Sequence, residues 1–421
     1  MVTITVTDPR IEQADTRSSF TSYLVSTKQG NSVRRRYSDF QWLYQRLQTE
    51  VPGAIVPIIP HTRTLMSAKK FDMEFIEERR RDLQDFLIEI AQHSELCRAP
   101  SMTPFMLLEL GKDFDDGKKI AEQKIPSVFA DEASTSEKDG NSSQPQLKSA
   151  AKGITNFFAK VRLTASSQEL LTSQVEGQIT ALNNYVAEIH GHTKALTKAS
   201  ESLMKSKLTT AEAFKEIGIP IGLWRFAYMQ QPENQDDGVK DMMTEIIKFS
   251  DEMSSLLQKK HKEEEFLFGH NTQKLSNTVS AFEIALNQRK KIQVEYTHIH
   301  NSLIEKNCAL EKAQKNLKPP EVMDKLNSER VELESRIELE KKRFEEVTQR
   351  VIRDSEKCKP NLTQMLKDSF LMLAKAEVAY TTRINEVSQR VISDLEKVDG
   401  NGLGARNPPP STPPAPPPDD E

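Results

Sequence analysis

Arginine and aromatic side chains stand next to one another near the N-terminus, and they are the residues best suited to binding an anion. Arg36 is followed directly by Tyr37, and further basic residues cluster at Lys69-Lys70 and at Arg79-Arg81. A guanidinium can hold a phosphate through two parallel hydrogen bonds, which the ammonium of lysine cannot do. An aromatic ring beside that guanidinium can cover the flat face of a sugar ring. These residues are therefore candidates for binding a phosphate group.

Basic clusters also have a simpler explanation, which is a solvated protein surface. Residues 1–110 hold as many acidic as basic side chains, so this region is not basic as a whole. We expect Arg34 and Arg35 to be solvated charges on an edge strand. Similarly, we expect Arg80 and Arg81 to lie on a solvated helix face. For Arg36 and Arg79, anion binding is the favoured interpretation.

The elements that must position these residues form a small domain of strands and helices. Strands are predicted by apolar alternation at Val2–Val6, at Phe20–Val25, and at Val33–Tyr37 behind the turn signal Gly30-Asn31. Two segments with helical spacing of apolar residues follow, and a proline-rich loop separates them. We predict an α+β domain over residues 1–112, with a small antiparallel sheet plus helices.

The rest of the chain changes its pattern twice. Residues 113–147 have few apolar residues and predict a flexible linker. Residues 165–398 have helical spacing nearly throughout, in three segments at about 165–230, 237–317 and 321–398. Helices of this length need partners along their whole length, so we predict an all-α, long three-helix antiparallel coiled coil. The proline-rich residues 399–421 are predicted to be disordered.

The third helical segment carries the clearest apolar stripe, with a spacing close to 3.5 residues. Its first part comprises Leu326, Leu333, Ile337, Phe344, Val347, Val351 and Cys358. It is expected to continue through Leu362, Leu366, Phe370 and Leu373.

The string Arg35-Arg36-Tyr37-Ser38-Asp39-Phe40 resembles the PX domain, a phosphoinositide-binding module of the sorting nexins. Two further features follow in the order of that family, namely a loop with Pro57 and Pro60 and a basic helix that begins near Phe75. The resemblance covers residues 1–110. The helical segments are similar in length, number and order to a BAR domain. The whole chain thus resembles a sorting nexin of the PX-BAR type.

The resemblance implies roles for particular side chains. Arg36 should hold the 3-phosphate of the lipid headgroup, Tyr37 should stack on its ring, and Arg79 should bind the ring hydroxyls or the 4-position side. The family usually has a lysine after the proline-rich loop, where this chain reads Pro60-His61-Thr62-Arg63. The expectation that the bound lipid is phosphatidylinositol 3-phosphate therefore comes from the family resemblance. The spacing of the residues does not predict it. The residues that could replace the missing lysine are Arg63, Lys69 and Lys70.

Residues 148–163 predict an amphipathic helix. Its apolar face carries Ile154, Phe157, Phe158 and Val161, and lysines lie away from that face. Such a helix can lie in a membrane interface, and related sorting nexins carry an amphipathic helix at this position. The alternative is that the two phenylalanines pack against one of the two domains.

No constellation of residues in the sequence predicts catalysis or metal binding. The histidine pairs His190/His192 and His298/His300 are two residues apart on predicted helices, so their rings point about 200° apart and cannot chelate one ion. The three cysteines have no metal-like spacing, which favours a reducing compartment. We expect no enzymatic activity, no cofactor and no metal.

These expectations combine into a peripheral protein of the early endosome membrane, located in the cytoplasm. It would bind phosphatidylinositol 3-phosphate, form a homo- or heterodimer with another sorting nexin, and sense or induce membrane tubulation in retrograde and recycling transport. The retromer cargo complex is a further expected partner, and nucleic acid is not. The competing hypothesis is a coiled-coil scaffold or tether whose N-terminal domain binds protein rather than lipid.

Overall fold

The computed structural model describes residues 4–12, 19–28, 30–59, 72–123, 173–231 and 237–401. The N-terminal part contains β1 (Ile4–Glu12), β2 (Phe20–Thr27), β3 (Ser32–Arg36), α1 (Tyr37–Glu50), α2 (Met73–Gln92), α3 (Met102–Leu107) and α4 (Lys112–Glu122). The long helices are α5 (Ser173–Met229), α6 (Asp237–Glu264), α7 (His270–Lys315) and α8 (Pro320–Asn401). A π-helical turn, Glu265–Gly269, joins α6 to α7. The expected fold class, a small antiparallel sheet with helices followed by a long helical region, is confirmed.

The three strands form one antiparallel sheet in the order β1-β2-β3. Val25 on the central strand pairs with Val6 on one side and Val33 on the other, and all three side chains are buried. Because side chains alternate across a strand, this register turns one face of the sheet toward the helices. The same core takes up apolar residues of α1 and α2, including Phe40, Leu43, Leu47, Leu83, Phe86 and Leu87.

Arg35 is not a solvated edge charge, and that expectation is wrong. It lies two residues after Val33 and therefore shares its inward face, where its side chain is completely buried. Its guanidinium donates from Nε to the Phe105 carbonyl at 3.0 Å and from Nη2 to the Pro104 carbonyl at 3.1 Å. The ring centroid of Phe114 lies 4.0 Å from Cζ. Burial lowers the pKa of Arg35 to about 10, so the side chain remains a cation at neutral pH. In this form it binds carbonyl groups of α3.

The other three arginines expected to be solvated differ among themselves. Arg34 donates to Asp8 Oδ2 at 3.0 Å and to Ser22 Oγ at 2.9 Å, so it ties β3 to the first two strands. Arg80 donates to the Val6 carbonyl at 2.6 Å and ties α2 to the sheet. Only Arg81 has the exposed position that we expected. The expectation is thus wrong for Arg34 and Arg80, because long side chains reach nearby acceptors at the sheet edge.

Residues 113–122 belong to α4 and not to a flexible linker. Phe114 and Ala121, seven positions apart, lie on one face of this helix and are both buried. The Phe114 ring meets Trp42 edge-on, with centroids 5.7 Å apart, and Arg46 of α1 donates to the Ala121 carbonyl at 2.6 Å. Two buried apolar residues are enough to hold α4 in place, because α1 provides the surface against which they pack. The remainder of the predicted linker, from 124 onward, lies outside the described residues.

The loop after α1 packs against the long helices through hydrogen bonds to its backbone. The Gly53 N–H donates to Gln288 Oε1 of α7 at 2.8 Å, and Gln288 Nε2 donates back to the Gln48 carbonyl at 3.1 Å. Gly53 has φ +80°, and a Cβ atom on it would lie 2.7 Å from Val347 Cγ1 of α8. Only glycine fits both the backbone conformation and the gap.

A second set of polar contacts joins the end of α2 to α8. His93 Nδ1 accepts the backbone N–H groups of Glu95 and Leu96, so the proton lies on Nε2, which donates to Asp354 Oδ2 at 2.8 Å. Burial raises the pKa of Asp354, but the hydrogen bond and charge of His93, the charge of Arg353 and the Ile55 N–H together outweigh it, so the pKa of Asp354 is lowered. Arg350 donates to Glu95 Oε2 at 2.6 Å and to the Pro52 carbonyl at 2.6 Å. The N-terminal domain and the neighbouring helices are therefore tightly joined.

The chain divides into two compact units, which are Met1–His192 with Ser276–Leu362 and Thr193–Leu275 with Thr363–Glu421. In the first unit the α8 stripe is buried from Phe344 to Leu362 and half-buried before it, and the ring of Phe344 stacks on Tyr296 of α7 with centroids 6.0 Å apart. In the second unit the predicted stripe departs from expectation, because Leu366 and Phe370 are exposed. Apolar side chains of a coiled-coil stripe that remain exposed in one chain point to a missing partner.

The long helices pass through both of their prolines. Pro220 lies within α5 and Pro360 within α8, and neither helix ends there. Gly218 faces α6, where a Cβ atom would lie 3.1 Å from Ser250 Oγ, so the glycine permits a close approach of the two helices. Among the described residues, no helix combines the length and the apolar run that crossing a membrane requires.

Candidate functional site

Arg36 and Tyr37 lie at the junction between β3 and α1. Arg36 is the last residue of the strand and caps the helix with an extended backbone, φ −90° and ψ 163°. Its N–H donates to Asp39 Oδ2 at 3.0 Å, which satisfies an amide at the helix start. The backbone is therefore fixed at the residue whose side chain was predicted to bind a phosphate.

Arg79 reaches the same place from α2. Its guanidinium carbon lies 4.5 Å from the Tyr37 ring centroid and 4.4 Å from that of Phe75, one helical turn before it. Burial lowers the pKa of Arg79, and the nearby oxygens of Tyr23 and Tyr37 partly offset that effect. Contacts on two aromatic faces hold a cation in position by cation–π attraction. The structure thus brings together two of the predicted site residues, Tyr37 and Arg79.

The Arg36 side chain is 45% exposed and only loosely held. Its Nε lies 3.6 Å from Asp39 Oδ1, and its guanidinium carbon lies 5.7 Å from the ring centroid of Phe20. Asp39 itself is completely buried, and Lys118 of α4 donates to the same Oδ1 at 2.8 Å. One carboxylate therefore faces two cations, which leaves a net positive charge at the exposed Arg36.

Three contributors to this cluster were missed from the sequence. Phe75 stands four residues before Arg79 on a predicted helix, so its spacing could have revealed it. Phe20 approaches Arg36 across the sheet, because Ser22 is the direct partner of Arg36, and this required the register. Lys118 could not be found, since its segment was assigned to a linker.

Several predicted site residues lie outside the described residues, so their expected roles remain predictions. They are Arg63, Lys69 and Lys70 of the loop, and Ile154, Phe157, Phe158 and Val161 of the amphipathic segment. In the described ranges, no group of three or more His, Cys, Asp or Glu side chains is arranged to hold a metal ion.

The geometry of the cluster favours binding of an anionic ring over catalysis of a reaction on that ring. A half-exposed guanidinium supplies charge-assisted hydrogen bonds, and a second one is fixed beside a tyrosine ring. Phosphate groups on a flat polyol ring match this combination of cations and aromatic surface.

Comparison with known proteins places this site in a known domain. Residues 23–109 match the model of the PX domain. Sorting nexin-4 of Eremothecium gossypii is 30% identical over 139 residues, which cover 30% of this chain and 33% of that protein. Sorting nexin 1 of Arabidopsis thaliana is 29% identical over 225 residues, which cover 52% of each chain. The chain thus spans about half, or less, of the length of the curated relatives it matches.

The fold comparison extends over nearly the whole chain. The SNX-BAR protein Mvp1, solved by cryo-EM as a tetramer, has a TM-score of 0.62 at 15% identity. The similarity covers 92% of this chain and 99% of the Mvp1 chain. At this identity the likeness concerns the fold. By sequence, residues 23–109 are a PX domain, and by fold the chain is similar to an SNX-BAR protein over nearly its whole length.

Proposed function

We propose that this protein binds phosphatidylinositol 3-phosphate through its PX domain and dimerises through its long helices on endosomal membranes. There it would sense or induce membrane tubulation in retrograde and recycling transport, without enzymatic activity. The observation that carries the proposal is the cluster in which Arg79 lies against the Tyr37 ring while the adjacent Arg36 keeps an exposed guanidinium. Early endosomes as the location, and the retromer cargo complex as a partner, are proposed from the sorting-nexin likeness.

Calorimetric titration of the full chain with soluble inositol 1,3-bisphosphate tests the lipid site without a membrane. We expect saturable binding with one headgroup per chain, weakened by added salt because the contacts are between charges. Absence of binding would contradict the lipid-binding proposal and favour the scaffold that binds protein through its N-terminal domain.

Lys118 is expected to control how freely Arg36 can turn to a phosphate. Without its ammonium, the buried Asp39 carboxylate would draw Arg36 toward itself, so Lys118→Met should weaken headgroup binding by roughly fivefold. Lys118→Arg should restore most of the affinity, because it returns a cation to Asp39. The measurement is the same titration, with thermal unfolding to show that each variant folds. Equal affinity of Lys118→Met and wild type would exclude this role.

The proposed dimer rests on exposed apolar side chains in the second compact unit. Ile219, Leu223 and Phe226 stand at i, i+4 and i+7 near the end of α5 and are 59%, 67% and 65% exposed. A stripe of this size on one helix face is typical of an interface. Together with the exposed Leu366 and Phe370 of α8, it favours a second copy or a related sorting nexin as the partner.

Charges placed in that stripe should separate the dimer. For the double variant Leu223→Glu with Phe226→Glu, we expect a monomer at micromolar concentration, since burying an unpaired carboxylate would weaken association by at least about 100-fold. Light scattering with size exclusion gives the mass. Leu339→Glu is the control, because Leu339 is 65% exposed in the first unit and should leave the dimer intact. A wild-type monomer, or a dimeric double variant, would refute this interface.

The segment with Ile154, Phe157, Phe158 and Val161 is proposed to enter the membrane interface. Its support is the apolar face opposite lysine residues. It would add membrane affinity to a modest headgroup interaction, since two linked contacts act together.

A further inference from the structure

The turn between α7 and α8 exposes a leucine in an unfavourable backbone conformation. Leu317 is 92% exposed and has φ +46°. The turn comprises residues 316–319 and follows the last residue of α7, Lys315. No other large apolar side chain among the described residues is as exposed.

The hydrogen bonds identify the motif that requires this conformation. The Lys318 N–H donates to the Ala313 carbonyl at 3.1 Å, and the Leu317 N–H donates to the Gln314 carbonyl at 3.2 Å. This is the Schellman pattern, in which the residue at the Leu317 position adopts a left-handed conformation and is usually glycine. A residue with a Cβ atom costs about 1 kcal/mol more there.

Leu317 therefore breaks two local rules at once. Folding would favour glycine for the backbone and a polar side chain for the exposure. A strained residue that folding does not explain is a reason to look for function. The next two residues in the chain after Lys318 are Pro319 and Pro320, whose rings restrict the backbone and limit any rearrangement of the turn.

Three lysines and one glutamate lie within five residues of the leucine. The exposed Lys312, Lys315 and Lys318 outnumber the exposed Glu321, and within the described part of the chain none of these lysines pairs with a carboxylate. Attraction to the end of the helix dipole explains lysines at this position, but it does not explain the leucine. An apolar side chain surrounded by lysines matches the edge of an anionic bilayer, where ammonium groups meet phosphates and the apolar group lies below them.

A second copy of the chain fits this turn less well. A symmetric contact between two such turns would bring three lysines against the same three lysines. Charge complementarity thus favours an anionic lipid surface as the occupant.

We propose that the α7–α8 turn is a membrane-contact element in which Leu317 enters the headgroup layer of an anionic bilayer. The inference rests on the proposed membrane function, but it concerns a site separate from the Arg36 cluster. It predicts binding to anionic lipids that contain no phosphoinositide.

Co-sedimentation of the full chain with phosphatidylcholine–phosphatidylserine vesicles tests this element by itself. Leu317→Gly should bind roughly fivefold more weakly than wild type, because the apolar contact is lost. Its thermal midpoint should be equal or higher, because glycine suits φ +46°. This opposite response separates a membrane role from a structural one. Leu339→Ala, at another exposed leucine, should bind as wild type does.

The other outcomes decide against the element. Equal binding of Leu317→Gly and wild type, or no binding of wild type to these vesicles, would overturn it. A changed oligomeric mass of Leu317→Gly with unchanged binding would also overturn it, in favour of a second copy. Adding phosphatidylinositol 3-phosphate to the same vesicles tests the PX proposal separately, since only the Arg36 cluster should respond.

Discussion

Arg36→Gln is expected to weaken binding to vesicles that contain phosphatidylinositol 3-phosphate by about 100-fold. The substitution removes a guanidinium that can make two charge-assisted hydrogen bonds, which together contribute about 3 kcal/mol. Because the Arg36 side chain is 45% exposed and its structural hydrogen bond comes from the backbone N–H, the fold should remain intact. Vesicle co-sedimentation measures the affinity, and thermal unfolding verifies the fold.

A charge-matched control separates this site from general attraction to an anionic surface. Arg98 is exposed in the turn after α2, and Arg98→Gln removes the same charge from the same domain. We expect it to weaken binding by less than about threefold, since single exposed charges contribute about 1 kcal/mol near a membrane and less at a distance. If Arg36→Gln and Arg98→Gln had equal effects, the cluster around Arg36 would not be the headgroup site.

Gly53→Ala is expected to lower the free energy of unfolding by about 3 kcal/mol. The new alanine would have to keep φ +80°, and its Cβ atom would lie 2.7 Å from Val347 Cγ1. The conformation costs about 1 kcal/mol, and overpacking against α8 adds about 1–3 kcal/mol. Urea unfolding of the full chain measures the loss.

Gly30 provides the matched control for that prediction. It has φ +90°, but a Cβ atom there would meet nothing within 4 Å. Gly30→Ala should therefore show the conformational cost alone, about 1 kcal/mol. Combining Gly53→Ala with Val347→Ala should recover part of the loss by relieving the clash. Equal losses for Gly30→Ala and Gly53→Ala would mean that the contact between the loop and α8 contributes no stability.

The sequence was most informative where a local pattern decides the structure. Alternation predicted the three strands, and helical spacing predicted the long helices and the buried part of the α8 stripe. The predicted third strand ran one residue too far, since β3 ends at Arg36 and α1 begins at Tyr37, and Arg79 was placed in the same site by the resemblance. These features depend on neighbours within a few residues, which the sequence displays directly.

The sequence was less informative where distant parts of the chain meet. Lys118 reaches Asp39 from a helix 79 positions away, and the register that brings Phe20 to Arg36 cannot be read from either strand alone. Arg35 differs, because its inward orientation follows from the alternation with Val33, and its charge alone suggested solvation. A buried arginine is tolerated here because helix-end carbonyls satisfy its donors.

The exposed part of the α8 stripe has a different cause. Spacing placed Leu366 and Phe370 in the apolar stripe, yet both are exposed in the single chain, and their burial against a partner stays a prediction. Intramolecular packing and association use the same apolar pattern, so periodicity cannot tell them apart.

The most direct test of lipid reading combined with membrane shaping is co-sedimentation of the full chain with vesicles varied in both headgroup and diameter. We predict that phosphatidylinositol 3-phosphate strengthens binding at every diameter, and that small vesicles bind more strongly than large ones of the same composition. Binding that is independent of the phosphoinositide at every diameter would contradict the proposal that the PX domain of this protein recognises a lipid headgroup.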